Sequence, residues 1–231
     1  MSEGDLVVVT PAWRESHSGA AVGFLALGGV ANPPSHPALA DVKAALETDL
    51  RARFGELDRA ALRETPPLSA YAAYYKRFGQ RYHVAMQLES VAQKGKRLPN
   101  VAALVEAMFV AELRHLVLTA GHDLDGVTLP LRLDSATGSD AERFTAPNGT
   151  DARVKVGDMY VADAKGVLSS IITGPSSTAR IGPETTSALF VTYAPPGVSR
   201  ELLDAHLTEI EANVCLVSPE GEMVARVVIE G

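Results

Sequence analysis

Residues 99–126, PNVAALVEAMFVAELRHLVLTAGHDLDG, form the stretch around which the rest of the chain is organised. The stretch opens on Pro99 and Asn100, residues typical of a helix start. The apolar residues that follow cover most sides of a helix, a pattern typical of a buried helix. Gly121 is typical of a left-handed C-terminal cap. The stretch therefore predicts a central buried helix that ends at Gly121. The loop after this cap carries three polar residues, His122, Asp123 and Asp125.

The composition bounds the class of protein. The chain has 231 residues, 46% of them hydrophobic, which is enough to bury a substantial core. No apolar run approaches the ~20 residues of a membrane helix, and MSEGDLVVVT at the N-terminus lacks a signal-peptide pattern. The single cysteine, Cys215, excludes an internal disulfide and fits a reducing compartment. We therefore expect a cytoplasmic protein with no membrane partner.

The charge is unevenly distributed along the chain. The net charge of -7 argues against a general nucleic-acid coat protein, and we expect no DNA partner. Between residues 76 and 97, however, six basic residues face one acid, a local charge of +5 that leaves -12 for the remainder. This cluster is either a set of solvated helix ends or a local surface for phosphates. Its basic members are Lys76, Arg77, Arg81, Lys94, Lys96 and Arg97.

The order of elements predicts the α+β class. Strands at 6–10 and 20–30 are followed by helices at 38–54, 57–63, 68–78 and 85–93, and then mainly by strands. The later strands are expected at 127–133, 159–163, 166–173 and 188–195, followed by a helix at 199–212 and a hairpin of 213–218 with 222–230. With no linker long enough to divide it, the chain is predicted to be a single domain, 1–231, of helices packed on a largely antiparallel sheet.

Four aromatic residues of the 68–78 helix follow the spacing i, i+3, i+4, i+7, which places them on one face. They are Tyr71, Tyr74, Tyr75 and Phe78. This face either packs in the core or forms a groove for an aromatic ligand or a base.

No sequence signature assigns a reaction, and three sets of residues remain as candidates. His122 beside Asp123 and Asp125 is either a general base or part of a polar turn. The loop 173–178 either offers N–H groups to an oxyanion or phosphate, or is a simple turn. Arg81, with the basic cluster, can bind a phosphate or carboxylate. Glu112 and His115 have the spacing of a bridged metal site, but such sites need a second copy, which is absent, so we expect no metal.

Four segments of the chain resemble one protein family. They are YKRFGQRY at 75–82, GKRLPNVAALVEAMFVAELRH at 95–115, GHDLDG at 121–126 and VADAKGVLSSIITGPSSTARIGPETTSALFVTYAP at 161–195. Together they resemble the tRNA-editing module of the bacterial phenylalanyl-tRNA synthetase beta subunit, in a free-standing form. In that module a helix leads to an Asp-Leu-Asp segment, and a later strand leads to a glycine-rich loop, a threonine and an apolar strand.

The resemblance implies an editing-module-like core at about 70–195. An N-terminal strand–helix segment, 1–65, and a C-terminal helix–hairpin, 199–231, would pack on it. The implied activity is that of a trans-acting aminoacyl-tRNA deacylase, which hydrolyses the ester of a mischarged tRNA without a metal or cofactor. The implied partner is the aminoacylated 3′ end of tRNA.

The resemblance also implies roles for individual residues. His122, helped by Asp123, would act as the base or position the water, and Tyr75 would contact the substrate. The oxyanion and the terminal ribose would be bound by Gly174, Ser176, Ser177 and Thr178. The tRNA phosphates would be bound by Lys76, Arg77, Arg81, Lys96 and Arg97.

Two other functions compete with the deacylase. One is a non-catalytic module that keeps the pocket for an amino acid or small metabolite. The other is an accessory protein that binds tRNA or docks a partner protein through its aromatic face. The amino acid, the tRNA and the oligomeric state do not follow from the sequence.

Overall fold

The computed structural model describes residues 3–138 and 142–231, in which helices and strands alternate irregularly. The helices are α1 (Glu3–Leu6), α2 (Pro11–Ser16), α3 (Pro37–Phe54), α4 (Arg59–Glu64), α5 (Leu68–Lys76), α6 (His83–Ala92), α7 (Ala103–His115) and α8 (Arg200–Val217). The strands are β1 (Val7–Val9), β2 (Ala21–Gly28), β3 (Leu118–Asp123), β4 (Leu131–Ser135), β5 (Arg143–Thr145), β6 (Asp151–Arg153), β7 (Met159–Asp163), β8 (Gly166–Ser170), β9 (Gly174–Pro175), β10 (Ser187–Ala194) and β11 (Glu222–Glu230).

The strands form three sheets. A four-stranded antiparallel sheet has the order β11-β2-β10-β3, and a five-stranded sheet has the order β1-β4-β7-β8-β9. Strand β1 runs parallel to β4, while the other pairs of the larger sheet are antiparallel. Strands β5 and β6 form a short separate ribbon. The predicted α+β class with largely antiparallel pairing is confirmed.

The two middle strands of the four-stranded sheet are buried along almost their whole length. Strand β2 reads AVGFLALG and β10 reads SALFVTYA, continuous apolar runs of the kind found where both faces of a strand are covered. Helices α7 and α8 pack against each other, and α8 also packs on β2. Because β3 lies at the end of the strand order, one of its edges has no neighbouring strand in that sheet. This open edge becomes important at the candidate site.

Helix α7 is the predicted central helix, but it begins later than the sequence suggested. Residues 99–102 are irregular, and the first turn is capped from a distant segment. The side-chain oxygen of Asn32 accepts a hydrogen bond from the N–H of Leu104 at 3.0 Å, and the carbonyl of Pro33 accepts one from Ala103 at 2.9 Å. These bonds satisfy donors that a helix start leaves without partners.

The prediction that Gly121 ends this helix is wrong. The helix ends at His115, and Leu116 adopts the left-handed conformation with φ of 58°. The chain then enters β3, so Gly121, His122 and Asp123 lie in an edge strand and not in a loop after a cap. Pairing with β10 across six residues outweighs the helical pattern of this segment.

The predicted C-terminal hairpin is also wrong. Helix α8 continues to Val217, because Leu207, Ile210 and Val214 follow helical spacing into the core between α8 and the sheet. Strand β11 pairs with β2 along its length and has no hairpin partner in 213–218. Cys215 is therefore a partly exposed helical residue and not a strand residue.

Three further expectations meet different outcomes. The strand predicted at 127–133 begins only at Leu131, and residues 127–130 are irregular. The hairpin of β7 and β8 is confirmed, but its second strand, predicted at 166–173, ends at Ser170. On the aromatic face of α5, Tyr71, Tyr74 and Tyr75 are all buried, so core packing is confirmed there.

One large hydrophobic core joins residues from both ends of the chain. It includes Leu6 and Trp13 near the N-terminus, the tyrosines of α5, and Ile229 in the last strand. The division into a 70–195 core with flanking segments stays a prediction. None of the helices in the described ranges has the length and apolar character that a membrane crossing requires.

Tyr71 ties helix α5 to two strands. Its hydroxyl accepts the N–H of Leu118 at 3.0 Å and donates to the carbonyl of Tyr193, and its ring stacks on Tyr82 with centroids 4.2 Å apart. We expect Tyr71→Phe to lower the free energy of unfolding by about 1–3 kcal/mol, because two buried backbone groups lose their partner. Tyr82→Phe is the matched control, since its hydroxyl serves one backbone group, the carbonyl of Leu116, to which it donates at 3.1 Å. Urea unfolding of both variants checks this, and equal losses would contradict it.

Candidate functional site

A cavity of about 470 Å³ lies between α7, the open edge of β3 and the segment after β8. We call it the main cavity. Its apolar walls are formed by Val105, Met108, Phe109, Ile171, Ile172 and Ile181. Its polar lining comes from His83, Glu112, Thr119, Ser170, Thr173, Ser176, Arg180 and Tyr193. A mostly apolar cavity with a few convergent polar groups is typical of a small-ligand site.

Glu112 is a carboxyl buried in the wall of the main cavity, only 2% exposed. One of its oxygens accepts a hydrogen bond from the N–H of Thr119 at 2.7 Å. Burial raises the pKa of Glu112 to about 8, although the Thr119 bond acts in the opposite direction. The carboxyl is therefore mostly neutral at pH 7.

A polar network lies behind Thr119. Its hydroxyl is 2.6 Å from Nε2 of His206 and 3.0 Å from the hydroxyl of Thr192. Burial lowers the pKa of His206 to about 3, so the ring is neutral at pH 7. His115, whose spacing from Glu112 in sequence is that of a metal site, forms a hydrogen bond to Glu209 at 2.7 Å and not to Glu112. Within residues 3–138 and 142–231, no group of three or more His, Cys, Asp or Glu side chains is arranged to hold a metal ion.

His122, the predicted base, does not line the main cavity. It projects from the face of β3 opposite to the side chain of Thr119 and is 1% exposed. Its Nε2 lies 3.1 Å from the hydroxyl of Ser169, which lies 2.9 Å from the hydroxyl of Tyr193, a residue that does line the cavity. Burial lowers the pKa of His122 to about 4.

Asp123 does not contact His122 through a hydrogen bond but fixes the turn after β3. Its two oxygens accept hydrogen bonds from the hydroxyl of Thr185 at 2.8 Å and from the N–H of Asp125 at 3.1 Å. Asp125 accepts a hydrogen bond from Thr186 at 3.3 Å. The carboxylates of this turn therefore hold the segment before β10 against the end of β3.

The predicted binding loop is only partly at the cavity. Gly174 and Ser176 line it, whereas Ser177 and Thr178 are exposed and lie outside the lining. The N–H groups of Ser176, Ser177 and Thr178 already donate to the carbonyl of Leu168, the carbonyl of Thr145 and the hydroxyl of Ser176, respectively. These three donors are thus not free for an oxyanion. The loop brings the side chains of Thr173 and Ser176 to the cavity, and the Ser176 hydroxyl also donates to the carbonyl of Thr178 at 3.4 Å.

Tyr75 lies one layer behind the cavity wall. Its hydroxyl donates to the carbonyl of Ile171 at 2.7 Å, and Ile171 lines the cavity. Its ring meets His83 edge-on with centroids 6.4 Å apart. Tyr75 therefore supports the wall and does not itself face the cavity.

The basic residues predicted to bind phosphates line two grooves beside the main cavity. The first, the Lys96 groove, holds Lys96 and Arg97, and it shares His83 and Phe109 with the main cavity. The second, the Arg81 groove, is lined by four basic residues and shares Met86 with the first. Its basic residues are Arg59, Arg63, Lys76 and Arg81. The three depressions thus form one continuous surface around α6.

Arg77 lies apart from these grooves. Its guanidinium packs over Tyr74, 5.0 Å from the ring centroid, and donates to the carbonyl of Gly157 at 3.3 Å. The structure therefore brings four of the five predicted phosphate-binding residues to the grooves and places the fifth elsewhere.

Several cavity residues escaped the sequence analysis. The sequence indicates only a metal-ligand spacing for Glu112, and Arg59 and Arg63, which line the Arg81 groove, lie outside the basic cluster in sequence. Gly121 was assigned to a helix cap, yet it lines the cavity from the edge of β3. The signal that distinguishes Glu112 is its place on the apolar side of a buried helix, where a carboxyl is rare unless it is partnered.

Comparison with known proteins gives a limited result. No protein-family model matches the chain, and no curated protein matches it. Among solved structures, the chain is similar to an N-terminal fragment of the phenylalanyl-tRNA synthetase beta subunit from Pyrococcus horikoshii, with a TM-score of 0.48 and 12% sequence identity. The match covers 98% of this chain and 54% of that chain, so the protein spans about half of the solved fragment. A likeness of this size does not assign the chain to that family and assigns no activity.

The raised pKa of Glu112 makes a prediction about stability. The ordinary pKa of a glutamate is 4.5, whereas that of Glu112 in the folded chain is about 8. Between pH 4.5 and about pH 8, residue 112 is therefore ionised in the unfolded chain but still protonated in the folded chain. This group therefore lowers the free energy of unfolding as pH rises, by ~1.4 kcal/mol per pH unit. Glu112→Gln removes that slope, so the variant gains stability relative to the parent from pH 5 to 8.

Urea unfolding at pH 5, 6.5 and 8 checks this, with the exposed Glu184→Gln as the matched control. Burial also raises the pKa of Asp158 to about 7, so Asp158 likewise lowers the free energy of unfolding as pH rises. Because Asp158 is present in the parent and in both variants, its contribution cancels in the comparison. Parallel pH profiles for the parent and Glu112→Gln would contradict the assignment.

Proposed function

We propose that this protein is a trans-acting deacylase that hydrolyses the ester of mischarged aminoacyl-tRNA in the cytoplasm. One observation carries the proposal: an apolar cavity with a buried carboxyl is continuous with grooves lined by six basic residues. Such an arrangement suits a ligand with an apolar aminoacyl end and a polyanionic remainder. The sequence resemblance to the editing module supports the same activity.

The substrate lies along this continuous surface. The aminoacyl group enters the main cavity, and the phosphates of the tRNA 3′ end contact Lys96 and Arg97 in the adjacent groove. Lys76 and Arg81 meet phosphates further along. The acidic remainder of the chain stays away from the nucleic acid. The electrostatic attraction to the tRNA then comes from residues 76–97, whose local charge is +5.

The reaction needs little from the protein because the ester is already activated. The oxygen of a water molecule bonds to the carbonyl carbon, the bond from that carbon to the ribose oxygen breaks, and the ribose oxygen takes a proton. The products are the free amino acid and deacylated tRNA. Holding the ester and a water at the Ser176 hydroxyl supplies positioning, the main source of rate in this mechanism.

His122 and Asp123 enter the proposal as positioning residues. The His122 ring acts through Ser169 on Tyr193, which faces the cavity. Asp123 acts through the turn that holds the segment before β10. Neither touches the substrate.

A non-catalytic binding module is the second candidate. The observation that favours it is the loop of Ser176, Ser177 and Thr178, whose N–H groups are already hydrogen-bonded within the protein. A module of this kind would keep the aminoacyl cavity without a turnover step. An accessory protein that docks through its aromatic face is not supported, since the three tyrosines of that face are buried.

The test is a panel of mischarged tRNAs whose ester loss is followed over time. We expect hydrolysis of at least one pair, and tRNA binding that weakens steeply with added salt. Lys96→Ala with Arg97→Ala should reduce the slope of log affinity against log salt by about 1–2, since each lost phosphate contact removes roughly 0.7–0.9.

The matched control for this pair is Lys155→Ala with Lys165→Ala, which removes the same charge from exposed positions outside the three depressions. Hydrolysis of no pair would overturn the deacylase in favour of the binding module. Equal salt slopes for the two double variants would remove the grooves from the tRNA contact.

A pair of buried histidines tests the positioning role of His122. His17 has the same arrangement elsewhere, with its Nε2 3.0 Å from Ser135 and its pKa lowered to about 4. We expect His122→Ala and His17→Ala to cost similar stability, about 1–3 kcal/mol. Only His122→Ala should lower kcat/KM, by about tenfold, through misplacement of Tyr193. Equal kcat/KM for the two variants would show that His122 has a structural role alone.

A further inference from the structure

The open edge of β3 has one unoccupied pair of backbone groups, at Gly121. The N–H of Thr119 donates to Glu112 and the N–H of Asp123 donates to the carbonyl of Ala179 at 2.8 Å, so both point away from β10. In an antiparallel pair, alternate residues point to the same side. The N–H and C=O of Gly121 therefore point outward too, between two occupied donors.

Gly121 lines the main cavity, and none of the hydrogen bonds formed by the described residues ends on its outward N–H or C=O. The carboxyl of Glu112 lies at Thr119, two residues along the strand and so about 7 Å from Gly121. An unpaired strand edge is a ready template for hydrogen bonding to another backbone. The outward Gly121 N–H therefore lies beside the outward carbonyl of Thr119, and the Glu112 carboxyl lies next along the same edge.

These three groups match the main-chain atoms of an α-aminoacyl group. Its ammonium and carbonyl are attached to one carbon, as the N–H and C=O of a residue in a neighbouring strand are. The carbonyl oxygen can accept the Gly121 N–H, while the ammonium donates to the Thr119 carbonyl and to the Glu112 carboxylate, the two acceptors that lie on the Thr119 side of that N–H. The apolar side chain then faces the wall formed by Met108, Phe109 and Ile181.

We propose that the edge of β3 at Gly121, together with the carboxyl of Glu112, recognises the free α-amino group and carbonyl of the aminoacyl group. This inference rests on the proposed function and names its substrate class: aminoacyl esters with an unblocked amine and a large apolar side chain. N-blocked esters, including peptidyl-tRNA, are excluded because they lose the ammonium that Glu112 requires.

The absence of a side chain at 121 is part of this site. A Cβ there would lie 2.8 Å from Cδ1 of Ile181, so this side chain of the cavity wall would have to move, whereas Sδ of Met108, at 3.4 Å, would be in ordinary contact. Because these atoms are the ends of flexible side chains, Gly121→Ala is expected to fold. Gly182→Ala is the matched control, since its Cβ would meet no atom within 4 Å.

The experiment is calorimetric binding of three probes that cannot be hydrolysed as esters. L-phenylalaninamide carries the amine, the carbonyl and an apolar side chain, N-acetyl-L-phenylalaninamide has its amine blocked, and 3-phenylpropanamide has none. We expect the first to bind at least tenfold more tightly than the other two. Gly121→Ala should weaken it at least tenfold and Gly182→Ala should leave it unchanged.

Glu112→Gln should weaken L-phenylalaninamide at least tenfold and abolish the preference for the free amine. At pH 6.5 the carboxyl and the amine both begin protonated, so wild-type binding should release up to about one proton, as expected for a group with a pKa near 8 that ionises on binding. Glu112→Gln should release none. The number of protons released on binding is obtained from binding enthalpies measured in buffers of different ionisation enthalpy.

Other titratable groups near Glu112 do not account for such a proton. Burial raises the pKa of the neighbouring Tyr71, Tyr75 and Tyr82, so they remain neutral. Burial lowers the pKa of His206 to about 3, so its ring begins without a proton to release, and burial also lowers the pKa of His83 from its ordinary value. Arg180 is the guanidinium of the same lining.

Three results would overturn the inference: no binding of L-phenylalaninamide, equal binding of all three probes, or equal effects of Gly121→Ala and Gly182→Ala. These outcomes are distinguishable from failure of the proposed function. Selective amide binding without ester hydrolysis would keep this site in a binding module, whereas hydrolysis without amine selectivity would keep the deacylase and remove this site.

Discussion

The hydrogen bond from the Thr119 N–H to the Glu112 carboxyl is the contact on which the cavity depends. It joins the end of α7 to the first part of β3 and closes one donor of an otherwise open strand edge. A carboxyl in an apolar wall is costly unless it is neutral or paired, and burial raises its pKa accordingly. The fold therefore holds in the cavity wall a carboxyl whose surroundings favour its neutral form.

The edge of β3 explains why a cavity exists beside this strand at all. A second strand beside β3 would cover Gly121, but the strand order ends at β3, whose one neighbour in the sheet is β10. Helix α7 closes the edge at Thr119, and Ala179 closes it at Asp123. Between these two contacts the backbone remains available, so the cavity has one wall made of main-chain donors and acceptors, whose positions are more rigid than those of side chains.

The tyrosines of α5 provide the rigidity behind this wall. Tyr71 bonds to both β3 and β10, and Tyr75 bonds to the carbonyl of Ile171 at the cavity. Tyr74 bonds to Asp158 at 2.8 Å and anchors the start of β7. The aromatic face of α5, which in sequence is also compatible with a ligand groove, thus supports the cavity from outside. The surface of the cavity itself comes from α7 and the edge of β3.

The sequence by itself determined the α+β class, the helices α3, α5 and α6, and the hairpin of β7 and β8, because hydrophobic periodicity is a local signal. It also located Ser176 and most of the basic residues of the grooves. Tertiary structure alone decided where α7 begins, since Asn32 caps it from 72 residues away. It alone paired β11 with β2 and made Gly121 a strand edge. These features arise from hydrogen bonds between residues distant in sequence, whose positions no local pattern specifies.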